Sequence, residues 1–235
     1  MENAYVCNVV IDLEFTPVPK RFWQETGLGY EIIEVGAVKL DASGTLCEEF
    51  SRMVKPTFAG GVSGKVHNMT GIGNEDLTCA RPLDEVLDAL ATWIGPGRAR
   101  MVTWSESDLL QIQAECATKS IEHHLPTRWL DIQRLYPRLM GMEDKRKVAL
   151  GEAADWCGIA NDKTSAHRAL YDAQMTAKVF RMMAAGEFAE HRKRMATEFE
   201  SSAAGITCSA SIADRCEGLA DLLATLKAQE DKDAA

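Results

Sequence analysis

Residues 5–15, YVCNVVIDLEF, form an apolar run rich in branched side chains that ends among two carboxylates, Asp12 and Glu14. A run of this length and composition reads as a buried strand. Successive side chains leave opposite faces of a strand, so Asp12 and Glu14 share one face. Two like charges closing a central strand are costly to desolvate unless a cation neutralises them. A solvated strand end would show the same D-x-E spacing, so the pair gains meaning only from what accompanies it.

The next segment, TPVPKRFWQETGLG, carries two prolines and two glycines and reads as a long loop, residues 17–29 forming an excursion. Phe22 and Trp23 stand there beside Lys20 and Arg21, a cluster that either grips single-stranded nucleic acid or tucks against the core or a second subunit. YEIIEVGAVKL at 30–40 reads as a second strand, DASG at 41–44 as a turn, and TLCEEFSRMVKP as a third strand ended by Pro56. The opening is therefore a three-stranded antiparallel meander. Helical spacing takes over in PLDEVLDALATWI at 82–94, where Pro82 suits the first turn and Gly95 the end. ARMVTW at 99–104 reads as a short strand, followed by a helix started by Ser105 or Ser107. TRWLDIQRLYPRL at 127–139 reads as a strand leading into a helix broken by Pro137, and residues 147–158 and 165–186 as the last two core helices. A meander followed by alternating helices and strands points to an α/β fold, a mixed sheet with helices on its faces.

Two further motifs carry candidate chemistry. Asp108, in WSESD, falls in the first turn of a helix that directly follows a strand, where an aspartate complements the helix macrodipole with or without a function. HRALYDA at 167–173 supplies His167 and Asp172. Five helical residues rotate by about 140°, so these two meet only if His167 enters from the start of the helix, near a Ser165 cap.

Asp12-x-Glu14, then Asp108 after a strand, then His167 with Asp172 five residues later, resembles the three motifs of the DEDDh group of 3′-to-5′ exonucleases, in order. The likeness covers roughly residues 5–185 and extends to YEIIEVGAVKLDASG, VKP at 54–56, MTGI at 69–72 and WLDIQRLYPRLMGM at 129–142, which look like the Eri/KapD-like branch. It implies an RNase H-like mixed five-stranded sheet whose first three strands are antiparallel. It also implies that Asp12, Glu14, Asp108 and Asp172 bind two Mg²⁺ or Mn²⁺ ions, with Asp12 touching both, and that His167 is the general base. Hard oxygen ligands suit these ions, and a histidine ordinarily titrates near neutrality.

By the same resemblance Phe15 and Thr16 face the terminal nucleotide, Phe15 packing on its base or sugar or else in the core. Met69 is either an apolar wedge beside the last base or an ordinary core methionine. Lys145, Arg146 and Lys147 either track the phosphate backbone or form a solvated loop. The implied reaction releases nucleoside 5′-monophosphates from single-stranded 3′ ends, RNA preferred over DNA. The alternatives are an exonuclease for single-stranded DNA or short oligonucleotides, an inactive scaffold that binds RNA ends, and an RNase H-type endonuclease.

Residues 1–186 are then the exonuclease domain, and 187–235 a C-terminal helical extension with a frayed acidic end, open to a protein partner or a homodimer contact. The net charge of −9 argues against a simple basic nucleic-acid binder, but −4 of it falls in the extension and −5 in the domain, which includes the four proposed ligands. No run approaches the roughly 20 apolar residues of a membrane span, and no basic segment precedes the first apolar run as in a secretory signal. Seven cysteines without a C-x-x-C pair fit reduced thiols and a cytoplasmic setting.

Overall fold

The computed structural model describes residues 7–140, 147–160, 162 and 167–185. Among them five strands form one sheet: β1 (Cys7–Pro17), β2 (Tyr30–Asp41), β3 (Leu46–Met53), β4 (Ala99–Thr103) and β5 (Trp129–Asp131), ordered β3-β2-β1-β4-β5. β1 pairs antiparallel with β2, and β2 with β3, while β1–β4 and β4–β5 are parallel. This is the RNase H-like mixed sheet expected from the meander and the alternation that follows it. The helices are α1 (Trp23–Thr26), α2 (Gly64–Thr70), α3 (Leu83–Ile94), α4 (Ser107–Lys119), α5 (Tyr136–Leu139), α6 (Leu150–Trp156) and α7 (Ala169–Ala185).

The alternation of β1 assigns each face a purpose. Val9, Ile11 and Leu13 are buried against Leu83, Val86, Leu87 and Leu90 of α3 and Ile112 of α4. Val10, on the other face, joins Val38, Val102 and the α7 residues Ala177, Val179 and Phe180. Continuing the second row by twos gives Asp12, Glu14 and Thr16. The carboxylates thus extend a core face that α7 covers.

Three local expectations need correction. β1 does not stop at Phe15: Thr16 and Pro17 still pair with Glu31 and Tyr30, and Val18 N–H donates to the Gly29 carbonyl at 2.9 Å, which closes the excursion at its neck. Inside it, a 3₁₀ turn at Lys20–Phe22 leads directly into α1. Helix α2, on a segment to which the sequence reading assigns no element, is capped by Ser63 through Val66 N–H and ended by Gly71 at φ 73°. Pro137 begins α5 rather than breaking a longer helix, as its missing N–H is tolerated in a first turn. Helix α7 starts at Ala169, so His167 precedes it; the expected Ser165 cap, Lys145, Arg146 and residues 187–235 lie outside the described residues.

Candidate active site

β1 carries Asp12 and Glu14 to its carboxyl end, β4 delivers Asp108 into the first turn of α4, and α7 brings Asp172 over the same end of the sheet. Glu14 and Asp108 are buried, at 7% and 4% exposure, while Asp12 and Asp172 are half-buried. Burial is the largest cause of the rise in each carboxyl pKa. Asp12 stands well above the usual range, raised further by Asp108, Asp172, Glu14 and Glu34. Glu14 is pushed to about 8, with Asp172, Glu34 and Asp108 adding to burial and Arg168 opposing. Asp108 rises to about 7 although the backbone N–H groups of Asp108 and Leu13 counter the burial. Asp172 is also raised by burial, against the pull of His167. Four carboxyl groups pushed toward protonation by burial, Asp12 and Glu14 also by the charges of the others, form a donor set suited to a hard divalent cation, whose charge would offset both costs.

His167 adopts φ 64°, an unusual conformation for a residue other than glycine, and its N–H donates to Asp172 Oδ2 at 3.2 Å. This turn brings the exposed imidazole back toward the carboxylates. Ligand atoms of Glu14, His167 and Asp172 all lie within 4.8 Å of one another. This grouping includes the histidine, and Asp12 is close enough to feel the charges of Asp108, Asp172 and Glu14.

Glu34, missed in the sequence reading, organises the third motif. It lies opposite Glu14 in the β1–β2 ladder and is 1% exposed. Its carboxylate accepts two bonds from Arg168, at 3.1 and 2.8 Å, and one from Ala169 N–H at 3.0 Å. Two residues on, a Cβ at Gly36 would sit 2.1 Å from Leu170 N and 2.2 Å from Ala169 C. The start of α7 therefore rests directly on bare β2 backbone beside Asp12, whose cross-strand partner is Gly36. An acid inside the apolar run YEIIEVGAV was the available signal.

Thr16 is buried; its hydroxyl donates to the Gly61 carbonyl at 3.1 Å and accepts from Ser63 N–H at 3.2 Å. Phe15 points to the other face and packs half-buried against the α3 side core. Met69 is exposed at 44% on α2. Lys147 is exposed, and the next residue is fixed: the Val148 carbonyl accepts from Trp104 Nε1 at 3.1 Å and Gln133 Nε2 at 2.8 Å. The cation thus starts from a point anchored beside the β4–α4 junction that carries Asp108.

The sequence profile of the exonuclease family matches residues 9–180. The chain belongs to that family, and its DEDDh resemblance stands. Among solved structures it is similar to a full-length 3′-exonuclease, with 20% identity, TM-score 0.68, and 79% of this chain and 63% of that one covered. It is similar also to the 3′-exonuclease of a complex described as 3′-end specific recognition of a histone mRNA stem-loop, at 19% identity and TM-score 0.68, covering 79% and 84%. A third is the nuclease domain of 3′hExo, a DEDDh family member bound to rAMP, at 22% identity and TM-score 0.66, covering 79% and 96%. The chain spans less than two thirds of the first of these proteins. No curated protein is significantly similar in sequence. Among the described residues no helix is long and apolar enough to cross a membrane.

Proposed function

We propose that this chain is a metal-dependent 3′-to-5′ exonuclease that removes nucleoside 5′-monophosphates one at a time from single-stranded 3′ ends, RNA preferred. The observation that carries the reading is the convergence of Glu14, His167 and Asp172 within 4.8 Å beside two more carboxylates of raised pKa. Asp12, Glu14, Asp108 and Asp172 hold two divalent ions, Mg²⁺ or Mn²⁺, whose charge matches theirs. When bound, such ions stabilise the developing charge on a scissile phosphate and acidify the attacking water. His167, exposed at the rim, takes the proton of that water. Glu34 neutralises Arg168 and so leaves the four carboxylates as the charge to be balanced. Thr16 belongs to the wall beside the terminal nucleotide, with Met69 across from it and Lys147, with Lys145 and Arg146 before it, toward the backbone, while Phe15 takes its core alternative against the α3 side.

The preference for RNA rests on branch resemblance and on two structural neighbours, one described with a histone mRNA stem-loop and one bound to rAMP. Five free cysteines among the described residues support a cytoplasmic setting. Residues 1–186 serve as the catalytic domain and 187–235 as an extension for a protein partner or a second copy.

The test incubates 5′-labelled single-stranded RNA, single-stranded DNA and a 3′-overhang duplex with Mg²⁺ or Mn²⁺. A ladder shortening from the 3′ end, abolished by EDTA, by Asp12→Asn and about 10²-fold or more by His167→Ala, is the expected result. Internal cuts would point to an endonuclease, and full activity in both variants would refute this site.

A further inference from the structure

We propose that the excursion after β1 forms a second nucleotide subsite, a stacking groove for an unpaired base upstream of the 3′-terminal one; this rests on the exonuclease reading above. A groove of about 520 Å³ lies between Pro17, Val18, Lys20 and Trp23 on one side and Gly60 and Gly61 on the other. It begins one residue past Thr16, the next position on the face that carries Asp12 and Glu14. At about 3.3 Å per strand residue, Pro17 is about 10 Å from Glu14, and the Thr16 hydroxyl ties the two walls together through Gly61 and Ser63. The groove thus begins about 10 Å along β1 from Glu14.

Both walls are held in place. Trp23 is 45% exposed, yet its indole N–H donates to the Val18 carbonyl at 2.8 Å, which fixes the ring. Its neighbour Phe22 turns away and packs against Phe58, ring centroids 6.3 Å apart. Across the groove, Gly60 and Gly61 have φ of 72° and 145°, and Ala59, Val62 and the Asn74 amide, which accepts from Val62 N–H at 2.8 Å, complete that wall. The loop before them is pinned by buried Glu31, which accepts from Thr57, Phe58 and Ala59 N–H at 2.8, 2.7 and 2.6 Å. Burial alone would raise Glu31, but hydrogen bonds from Lys119 and these amides hold it below the usual carboxylate range.

A fixed, exposed indole at the edge of a groove offers its face to a planar ring, and aromatic stacking of bases is tolerant of sequence. The charge specifies a nucleotide rather than another apolar ligand. Lys20, which lines the groove, has its Nζ 5.7 Å from the Trp23 ring centroid, a cation at the groove of a chain whose net charge is −9. Lys20 is therefore the phosphate contact beside the stacked base. A duplex end would not present its bases to Trp23, so the groove selects unpaired 3′ tails.

The full chain is titrated in EDTA with a 5′-fluorescent single-stranded 12-mer and, by competition, with a nucleoside 5′-monophosphate. Trp23→Ala is expected to weaken the 12-mer about tenfold and the mononucleotide less than twofold, while Trp23→Phe, which keeps a ring but no N–H donor, stays near wild type. Lys20→Ala should lower the slope of log K against log salt by about 1. Equal 12-mer affinity in Trp23→Ala overturns the subsite, as does a Trp23→Phe variant as weak as Trp23→Ala, which would trace the effect to the bond with Val18. Hydrolysis of a nucleoside 5′-(p-nitrophenyl phosphate) by the wild-type chain with Mn²⁺ checks the exonuclease reading separately, because that substrate has no upstream base.

Discussion

Glu34 and Arg168, 134 residues apart in sequence, form a two-pronged ion pair at 2.8 and 3.1 Å that joins the middle of β2 to the residue between His167 and α7. Glu34 is 1% exposed and the Arg168 side chain 43%. Removing the carboxylate leaves Arg168 able to turn to water but strips Ala169 N–H of its buried acceptor. Glu34→Ala is therefore expected to cost about 2 kcal/mol, less than the roughly 3–5 kcal/mol of a fully buried pair. Because His167 and Asp172 depend on this anchor, a displacement near 1 Å should lower turnover about 10²-fold. Glu34→Gln keeps an acceptor for Ala169 and should fall between. Thermal melts and rates at saturating substrate, measured on the same samples, check both parts; a stability loss with turnover unchanged would limit Glu34 to holding the fold together.

Gly36 tests the same anchor from the backbone side. The Cβ of Gly36→Ala would meet main-chain atoms of Leu170 and Ala169 at 2.1 and 2.2 Å, which no rotamer change relieves. The cost should be about 3 kcal/mol, the upper part of the overpacking range. As the start of α7 moves away from Asp12, the rise in melting temperature that Mn²⁺ gives the wild type should shrink. Differential scanning fluorimetry with and without Mn²⁺ reads both effects.

The strands of this fold were readable because each is a short apolar run bounded by turn chemistry, and β1, β2 and β4 lie within a residue or two of their expected limits at most ends. The errors fell where tertiary contacts override local signals. Thr16 and Pro17 stay in β1 because β2 extends to meet them, and α2 forms from the glycine-flanked segment GKVHNMT around a cap that spacing alone did not reveal. The five candidate residues were legible as motifs, and the structure gathers them at one end of the sheet. Glu34 and Gly36 were not, because their roles are contacts with residues more than 130 positions away. The excursion divided its aromatics, Phe22 packing inward on Phe58 while Trp23 remains exposed, an outcome that composition could not decide.

Asp12→Asn should make the metal-free protein more stable while abolishing its activity. Asp12 is repelled by Asp108, Asp172, Glu14 and Glu34, so a neutral amide relieves the folded state. In EDTA at pH 8 the variant is expected to melt several degrees above wild type, and to respond weakly to Mn²⁺. Loss of one shared ligand from a site that supplies several kcal/mol of transition-state stabilisation should lower turnover by about a thousandfold or more. A variant that melts below wild type in EDTA would contradict the mutual repulsion.

Burial, with the repulsion of neighbouring carboxylates added, sets how stability follows pH. Glu14 at about 8 and Asp108 at about 7 lie far above the value near 4 of an unfolded carboxyl group, so the native state holds more protons than the unfolded one across that interval. Unfolding free energy changes with the proton difference between unfolded and native states, which is negative here, so stability falls as pH rises from about 4 to about 8. Glu31, whose pKa is lowered, contributes in the opposite sense, but its effect belongs below the carboxyl value of the unfolded chain and leaves this window clear. In EDTA the melting temperature is therefore expected to be highest near pH 5 and several degrees lower by pH 8.5. Cations compete with protons for the same oxygens, so the Mn²⁺ increment should grow over that interval and reverse the decline. Melting curves at half-unit pH steps with EDTA or millimolar Mn²⁺ check it; a metal-free protein that gains stability from pH 5 to 8 would show that these carboxylates are ionised and paired at neutrality, leaving no excess charge for a cation to balance.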